Sequence, residues 1–325
     1  MTLNDSPLKG IHLNQNTMKR NSRIYIAGHT GLIGSAILRC LKKNGYKDIV
    51  TRTHRQLDLT DHSKVERFFS RERPEYIFVA AARVGGIHAN STYPAEFIYQ
   101  NLMIQNHLID LAHQYKVKKL LLLSSSCIYP KKCSQPMKEE SLFTGLMEPT
   151  NEPYGMAKLA GIKMCQAYQK QYGSKFISVI PANVYGIQDH FDENGHVLAA
   201  LIGKFHDAVQ RKARKVTLWG TGKPKREFLY VDDAADACLF LMKHYQGADP
   251  INLGTGRETS ISQLARMIQK VSGYKGDLIF DTKRPDGNPR RLLDSSRIHA
   301  LGWQASVPLE EGLKTTYDWY QKRAR

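Results

Sequence analysis

Arg23-Ile24-Tyr25-Ile26-Ala27-Gly28-His29-Thr30-Gly31-Leu32-Ile33-Gly34 decides the fold of this 325-residue chain. A short apolar run, of strand length, ends on Gly28. Three glycines then recur as G-x-x-G-x-x-G, and a helical pattern runs on from Leu32 to Leu41. Strand, glycine turn and helix in that order make an anion site. Glycine permits a tight turn and a close backbone approach, and the helix start offers free N–H groups to a pyrophosphate. Gly28, Gly31 and Gly34, with the backbone at Leu32 and Ile33, are therefore the expected dinucleotide cradle. A plain turn is the competing reading of glycines after a strand.

Outward from this stretch, strand and helix keep alternating. DIVTRT (48–53) reads as a second strand and residues 62–72 as a helix. YIFVAAA (76–82) and KKLLLLSSS (118–126) read as strands flanking a long amphipathic helix from Ala95 to Tyr115. A helix from about Glu152 precedes FISVIPANVYG (176–186), read as one buried strand. Helix 197–213, strand VTLW (216–219), REFLYV (226–231) and INLGTG (251–256) follow. The pattern predicts an α/β fold, a doubly wound parallel sheet of Rossmann type with a smaller, interleaved C-terminal lobe. The expected partition is a loose tail over 1–22 and a dinucleotide domain over 23–183, with 226–256 returning to its sheet. The lobe takes 184–225 and 257–325.

Composition narrows the function classes. No segment approaches the roughly 18 apolar residues of a membrane span, and the first 22 residues lack the apolar core of a secretory signal. The five scattered cysteines show no metal-type spacing, so no metal is expected and a reducing cytoplasm is the expected home. The net charge of +17 suits phosphorylated ligands. The basic residues form no tract with interleaved aromatics, which argues against a nucleic-acid binder.

Two further features carry chemistry. An NAD site places a carboxylate about 20 residues past the glycines. This chain has Thr51-Arg52-Thr53-His54-Arg55 there, with no acid before Asp58. Arg52 suits a 2′-phosphate, so NADP(H) is the expected cofactor. Tyr154-Gly-Met-Ala-Lys158 puts a phenol and an ammonium on one helix face. The lysine is expected to lower the tyrosine pKa for proton exchange with a carbonyl or alcohol oxygen, beside a serine of Ser124-Ser125-Ser126. Glycine loop, serine and Y-x-x-x-K in this order point to short-chain dehydrogenase chemistry.

VGGI (84–87), SSSCIYP (124–130), EPTNEPYGMAK (148–158), REFLYVDD (226–233) and KRPDGNPRRLLD (283–294) resemble the GDP-L-fucose synthases. That family consists of NADPH-dependent, homodimeric 3,5-epimerase/4-reductases acting on GDP-4-keto-6-deoxy-D-mannose. The resemblance covers nearly everything from Arg23 to the C-terminus. It implies reductase roles for Ser125, Tyr154 and Lys158, and an epimerase acid–base pair in Cys127 and His196. Inverting carbons beside a ketone requires such a base and acid, and a thiol and an imidazole can be tuned to the task. The resemblance also implies GDP-sugar contacts at Asn183, Lys204, Trp219, Arg226 and Lys283. The chain departs from the family at Thr30, where arginine is common. It departs again at Asn194-Gly195-His196-Val197-Leu198-Ala199-Ala200, where the family resembles N-S-H-V-I-P-A. Competing readings are an enzyme for GDP-colitose or a GDP-6-deoxy-heptose, and a nucleotide-sugar 4-epimerase with bound NAD. A non-catalytic dinucleotide-binding regulator is a further one. The 4-epimerase needs neither the Cys/His pair nor a basic second strand. The regulator needs no Ser125, Tyr154 or Lys158.

Overall fold

In the computed structural model, which describes residues 18–192 and 195–324, the expected alternation is present. The first half comprises β1 (Ile24–Ala27), α1 (Leu32–Lys43), β2 (Ile49–Arg52), α2 (His62–Glu72), β3 (Tyr76–Val79), α3 (Ile87–Thr92), α4 (Pro94–Gln114), β4 (Lys119–Leu123), α5 (Glu152–Tyr172) and β5 (Phe176–Pro181). After β6 (Asn183–Tyr185) come α6 (Val197–Gln210), β7 (Lys215–Trp219), β8 (Lys225–Tyr230), α7 (Val231–His244), β9 (Ile251–Leu253), β10 (Glu258–Ser260), α8 (Ile261–Ser272), β11 (Asp277–Asp281), β12 (Arg290–Arg291), α9 (Ser296–Ala300) and α10 (Leu309–Arg323).

The main sheet runs β2-β1-β3-β4-β5-β9, with every pair parallel. Its strands are apolar on both faces, as a sheet covered by helices on both sides requires. Ile24 and Ile26 enter one core with Ile37 and Leu41 of α1, while Tyr25 and Ala27 enter the other with Phe68 and Phe69 of α2. The strand order reverses between β1 and β3. That opens a crevice at the carboxyl ends of the strands, where ligands bind in such sheets.

Three expectations change. FISVIPANVYG is two strands: β5 ends at Pro181, the Ala182 N–H is spent on the Leu253 carbonyl, and β6 leaves to pair with β8. The segment 226–256 returns only in part. β8 heads a second, four-stranded sheet with β10, β12 and β6, and only α7 and β9 rejoin the main domain. Of the loose segment expected over 1–22, residues 1–17 lie outside the described residues. Its end is packed: Met18 and Ser22 are buried, and the Met18 carbonyl accepts from the Tyr46 hydroxyl at 3.2 Å.

The smaller lobe packs α6, α8 and α10 beside a parallel β7–β11 pair. A buried carboxylate ties it to the main domain. Glu227 of β8 accepts the N–H groups of Thr255, Gly256 and Leu293, which joins the ends of β9 and β12 to one strand. No described helix is long and apolar enough to cross a membrane.

Candidate active site

A cleft of about 550 Å³ lies over the β1–β3 switch point. Its floor is the glycine turn. Gly28 takes φ +85°, and a Cβ there would sit 2.6 Å from the Ala81 nitrogen. A Cβ at Gly34 would sit 2.0 Å from the Gly28 carbonyl oxygen, so packing of α1 against the turn demands glycine. Gly31 differs. A Cβ there would meet only the Gly28 oxygen, at 3.5 Å. Protein packing alone does not require glycine at 31, whereas close approach of a ligand does. Gly31 is also the N-cap of α1, and no side chain caps this helix. The N–H groups at Leu32 and Ile33 thus remain available to an anion. This bare cradle fits a dinucleotide pyrophosphate.

At one end of the cleft stand Thr30, Arg52 and His54. Arg52 is already engaged: it donates to Glu72 Oε1 at 2.5 Å and to the Thr51 carbonyl at 2.7 Å. Glu72, nearly buried, also takes Arg23 and Arg71, and these cations together outweigh burial and hold its carboxyl below the usual range. Asp58, the first acid after β2, lines the cleft too, with its Oδ1 taken by the Thr60 N–H and hydroxyl.

At the other end β4 delivers Ser124, Ser125 and Ser126, and α5 delivers Tyr154 and Lys158. Ser125 caps the short turn 126–128 that carries Cys127, accepting the Cys127 N–H at 3.5 Å. Phe97 of α4 lies edge-on to the Tyr154 ring at 6.3 Å. The Lys158 ammonium donates to the Leu123 carbonyl at 2.8 Å, and burial lowers its pKa to about 8. The expected lowering of Tyr154 is not found. Burial pushes the phenol up, the neighbouring Cys127 pushes it further, and the hydrogen bond with Ser125 only partly opposes them. The physical reason is burial of the phenol, and Lys158, bonded to the Leu123 carbonyl, does not offset it. The protonated phenol is the donor form. Burial likewise pushes the Cys127 thiol up, against Ser125, Arg291 and Lys158, which pull it down.

The facing wall comes from the turn after β6 and the start of α6. His190 and His196 line it, and His196 is the N-cap of α6. Its Nδ1 lies 3.9 Å from Asp189 Oδ1. Asn183 also lines the cleft, but its amide donates to the Glu227 carbonyl at 2.8 Å.

The structure therefore gathers Gly28, Gly31, Leu32, Ile33, Gly34, Arg52, Ser125, Tyr154, Lys158, Asn183 and His196 around one cleft, with Cys127 on the turn beside it. It does not bring Lys204, Trp219, Arg226 or Lys283 to that cleft. Lys204, on α6, donates to the Thr217 carbonyl. Trp219 ends β7, is 70% exposed, and has Arg284 over its ring at 5.0 Å. Lys283 follows β11, the strand paired with β7. Arg226 is fixed by the Asn288 carbonyl at 2.6 Å. Sequence reasoning passed over Arg291. Opposite Arg226 in the β8–β12 pair, it crosses to the Ser126 carbonyl at 2.9 Å, next to Cys127. Its signal was the doubled arginine in Pro289-Arg290-Arg291, which reads alone as a solvated loop. Among the described residues no cluster of side chains could hold a metal.

Residues 24–254 match the model of the NAD dependent epimerase/dehydratase family. The chain is 53% identical over 304 residues to GDP-L-fucose synthase 1 of Arabidopsis thaliana, covering 93% of this chain and 94% of that one. It is 50% identical over 308 residues to GDP-L-fucose synthase of Escherichia coli K12, covering 92% and 96%. Among solved structures it resembles MlghC, a GDP-mannoheptose C4 reductase from Campylobacter jejuni with NADP bound. There the identity is 39%, the TM-score 0.85, and the coverage 94% of this chain and 99% of that one. The glycine cradle, the Ser-Tyr-Lys set and these full-length similarities agree: the chain belongs to the NAD dependent epimerase/dehydratase family and, within it, to the GDP-L-fucose synthase group.

Proposed function

We propose that the chain is a bifunctional 3,5-epimerase and NADPH-dependent 4-reductase that converts GDP-4-keto-6-deoxy-D-mannose to GDP-L-fucose. The observation that carries this reading is the joining of two chemistries at one cleft. Ser125, Tyr154 and Lys158 can serve a ketone oxygen, and Cys127 and His196 stand on different walls beside it.

The 4-keto group acidifies the C–H bonds at C3 and C5. Cys127, as thiolate, takes the proton. Arg291 and Lys158 favour that charged form against the burial that opposes it. Ser125 and Tyr154 hydrogen-bond the oxygen on which enolate charge develops. His196 returns a proton from the other wall, so each carbon is inverted. NADPH, when bound, supplies the hydride that reduces C4. Tyr154 then gives its proton to O4, and its burial keeps that proton in place until needed. In this reading Lys158, now bonded to the Leu123 carbonyl, holds the nicotinamide ribose. Gly28, Gly31, Gly34 and the start of α1 take the pyrophosphate, and Arg52 takes the 2′-phosphate. On the lobe, Arg226 and Arg291 suit the GDP diphosphate, with Asn183, Lys204, Trp219 and Lys283 as further contacts.

The chain acts as a cytoplasmic homodimer in this reading. Its free cysteines suit a reducing compartment. Exposed Tyr99 on α4, with Met156 and Tyr172 on α5, are side chains that a second copy would cover. The test is direct. Purified protein is incubated with GDP-4-keto-6-deoxy-D-mannose and NADPH, and the product is identified by NMR. GDP-L-fucose is expected. A D-configured product would make the chain a reductase only.

A further inference from the structure

Asp189 is buried at a cost that the fold does not explain. Its side chain is 3% exposed. One carboxylate oxygen, Oδ1, accepts the His190 N–H at 2.8 Å, while Oδ2 is buried with no hydrogen-bond partner. A carboxylate so placed is unfavourable unless it meets a positive charge or gains donors. The basic side chain that pairs with it is the His196 imidazole, at 3.9 Å.

The chain is bent to make this approach. Gly186 takes φ +154° and Gln188 takes φ +68°, a left-handed value for a residue with a side chain, directly before Asp189. On the return, a Cβ at Gly195 would sit 1.9 Å from the His190 carbonyl oxygen. Only glycine lets the backbone fold back closely enough to bring His196 to Asp189. Strain and a tight glycine contact thus bracket one imidazole–carboxylate pair on the cleft wall.

We infer that Asp189 is the positioning residue for His196: it turns the Nδ1 edge of the ring inward and leaves Nε2 toward the cleft as the proton donor. This inference rests on the epimerase role proposed above. The 3.9 Å separation is an ion-pair distance, longer than a hydrogen bond. Catalytic hydrogen bonds often tighten only when substrate binds. Position opposes the acid role. His196 caps the N-terminus of α6, where the helix dipole disfavours a cation. Asp189 opposes that effect: although the imidazole is more than half exposed, the neighbouring buried carboxylate holds it above its ordinary value. Asp189, His190 and Asp192 share its loop, α6 has no acid in its first turn, and Tyr154 and Lys158 line the same cleft, with Cys127 on the turn beside it.

The sign follows. A general acid works up to its pKa, so Asp189 extends inversion to higher pH. Asp189→Asn keeps the shape and removes the charge. In native and Asp189→Asn protein, His196 is titrated by NMR, its signal assigned by loss in His196→Asn. L-product and D-product are measured across pH in deuterated water. In Asp189→Asn the imidazole is expected to titrate at lower pH, and the alkaline limb of L-product formation should move the same way. The L:D product ratio should fall at least about tenfold, while deuterium still enters at C3 and C5. An unchanged titration and an unchanged limb would overturn the inference. If Asp189→Asn does not fold, the native titration decides, and an ordinary or lowered His196 value counts against it. If native protein makes no L-sugar, the proposed function fails, and the two titrations still judge the pairing.

Discussion

The wall at the ends of β1, β3 and β4 is held by backbone and by two helices, whereas the facing wall hangs on a bent loop and on strands of a second sheet. On the first wall each functional group has a local cause. Gly28 and Gly34 admit the turn because nothing larger fits, and Tyr154 and Lys158 share a face of α5. On the second wall the groups come from distant places. His196 starts α6, while Arg226 of β8 and Arg291 of β12 pair outside the cleft lining, where Glu227 ties the ends of β9 and β12 to β8. The first wall is suited to hold a cofactor in one geometry. The second is suited to vary the sugar, since loop positions can change without disturbing the sheet.

Breaking the first wall should have the largest effect. Tyr154→Phe removes one hydroxyl and keeps the ring beside Phe97. NADPH oxidation should fall by about 10²- to 10⁴-fold, with fold and NADPH binding intact. Deuterium should still enter the sugar, because Cys127 remains. Near-native reduction by this variant would remove Tyr154 from the chemistry.

The two kinds of glycine can be separated next. Gly34→Ala forces a carbon against the Gly28 carbonyl and should cost about 1 to 3 kcal/mol of stability, read as a fall in Tm. Gly31→Ala should leave Tm nearly unchanged and weaken NADPH binding instead. If Gly31→Ala unfolds the protein or binds NADPH normally, its glycine is not there for a ligand.

The second wall should respond through substrate affinity. Arg226→Ala is expected to raise KM for the GDP-sugar about tenfold, or ~1.4 kcal/mol, with little change in kcat, because it sits away from the reacting carbons. A loss confined to kcat would place it in the chemistry.

The smallest effect is expected at Arg52. Because it is shared with Glu72, turning to a 2′-phosphate means giving up an existing ion pair. Arg52→Ala should narrow the preference for NADPH over NADH by about 1 kcal/mol, measured by binding of each cofactor. Native protein that binds both equally would contradict the assignment.

These differences match what could be read from the sequence. The first wall was legible because its determinants are short-range. The apolar run before Gly28, the helix over 62–72 and the Y-x-x-x-K spacing each declare themselves within a few turns of chain. The second wall was not. An apolar strand reads the same whichever sheet it joins, so REFLYV was expected in the main sheet and FISVIPANVYG as one strand. Nothing local shows that Pro181 ends β5 and that Asn183 begins pairing with β8. The Y-x-x-x-K spacing put Lys158 on the face of Tyr154, but not where its ammonium points. It is bonded to the Leu123 carbonyl, and burial, which the spacing does not show, raises the phenol instead of lowering it. Asp189 and Arg291 stayed hidden for the same reason. Each is an ordinary loop charge until the fold brings it to His196 or to the turn that carries Cys127.

The central claim is that one cleft carries two separable reactions, and Cys127→Ser tests it most directly. The serine keeps the size of the side chain and loses the thiolate. The variant is given GDP-4-keto-6-deoxy-D-mannose and NADPH in deuterated water, and the sugar is analysed by mass and NMR. Exchange at C3 and C5 should cease, while slow reduction yields a D-configured 6-deoxyhexose. If Cys127→Ser still forms the L-sugar at the native rate, the thiol only packs, and the division of labour between base and reductase is wrong.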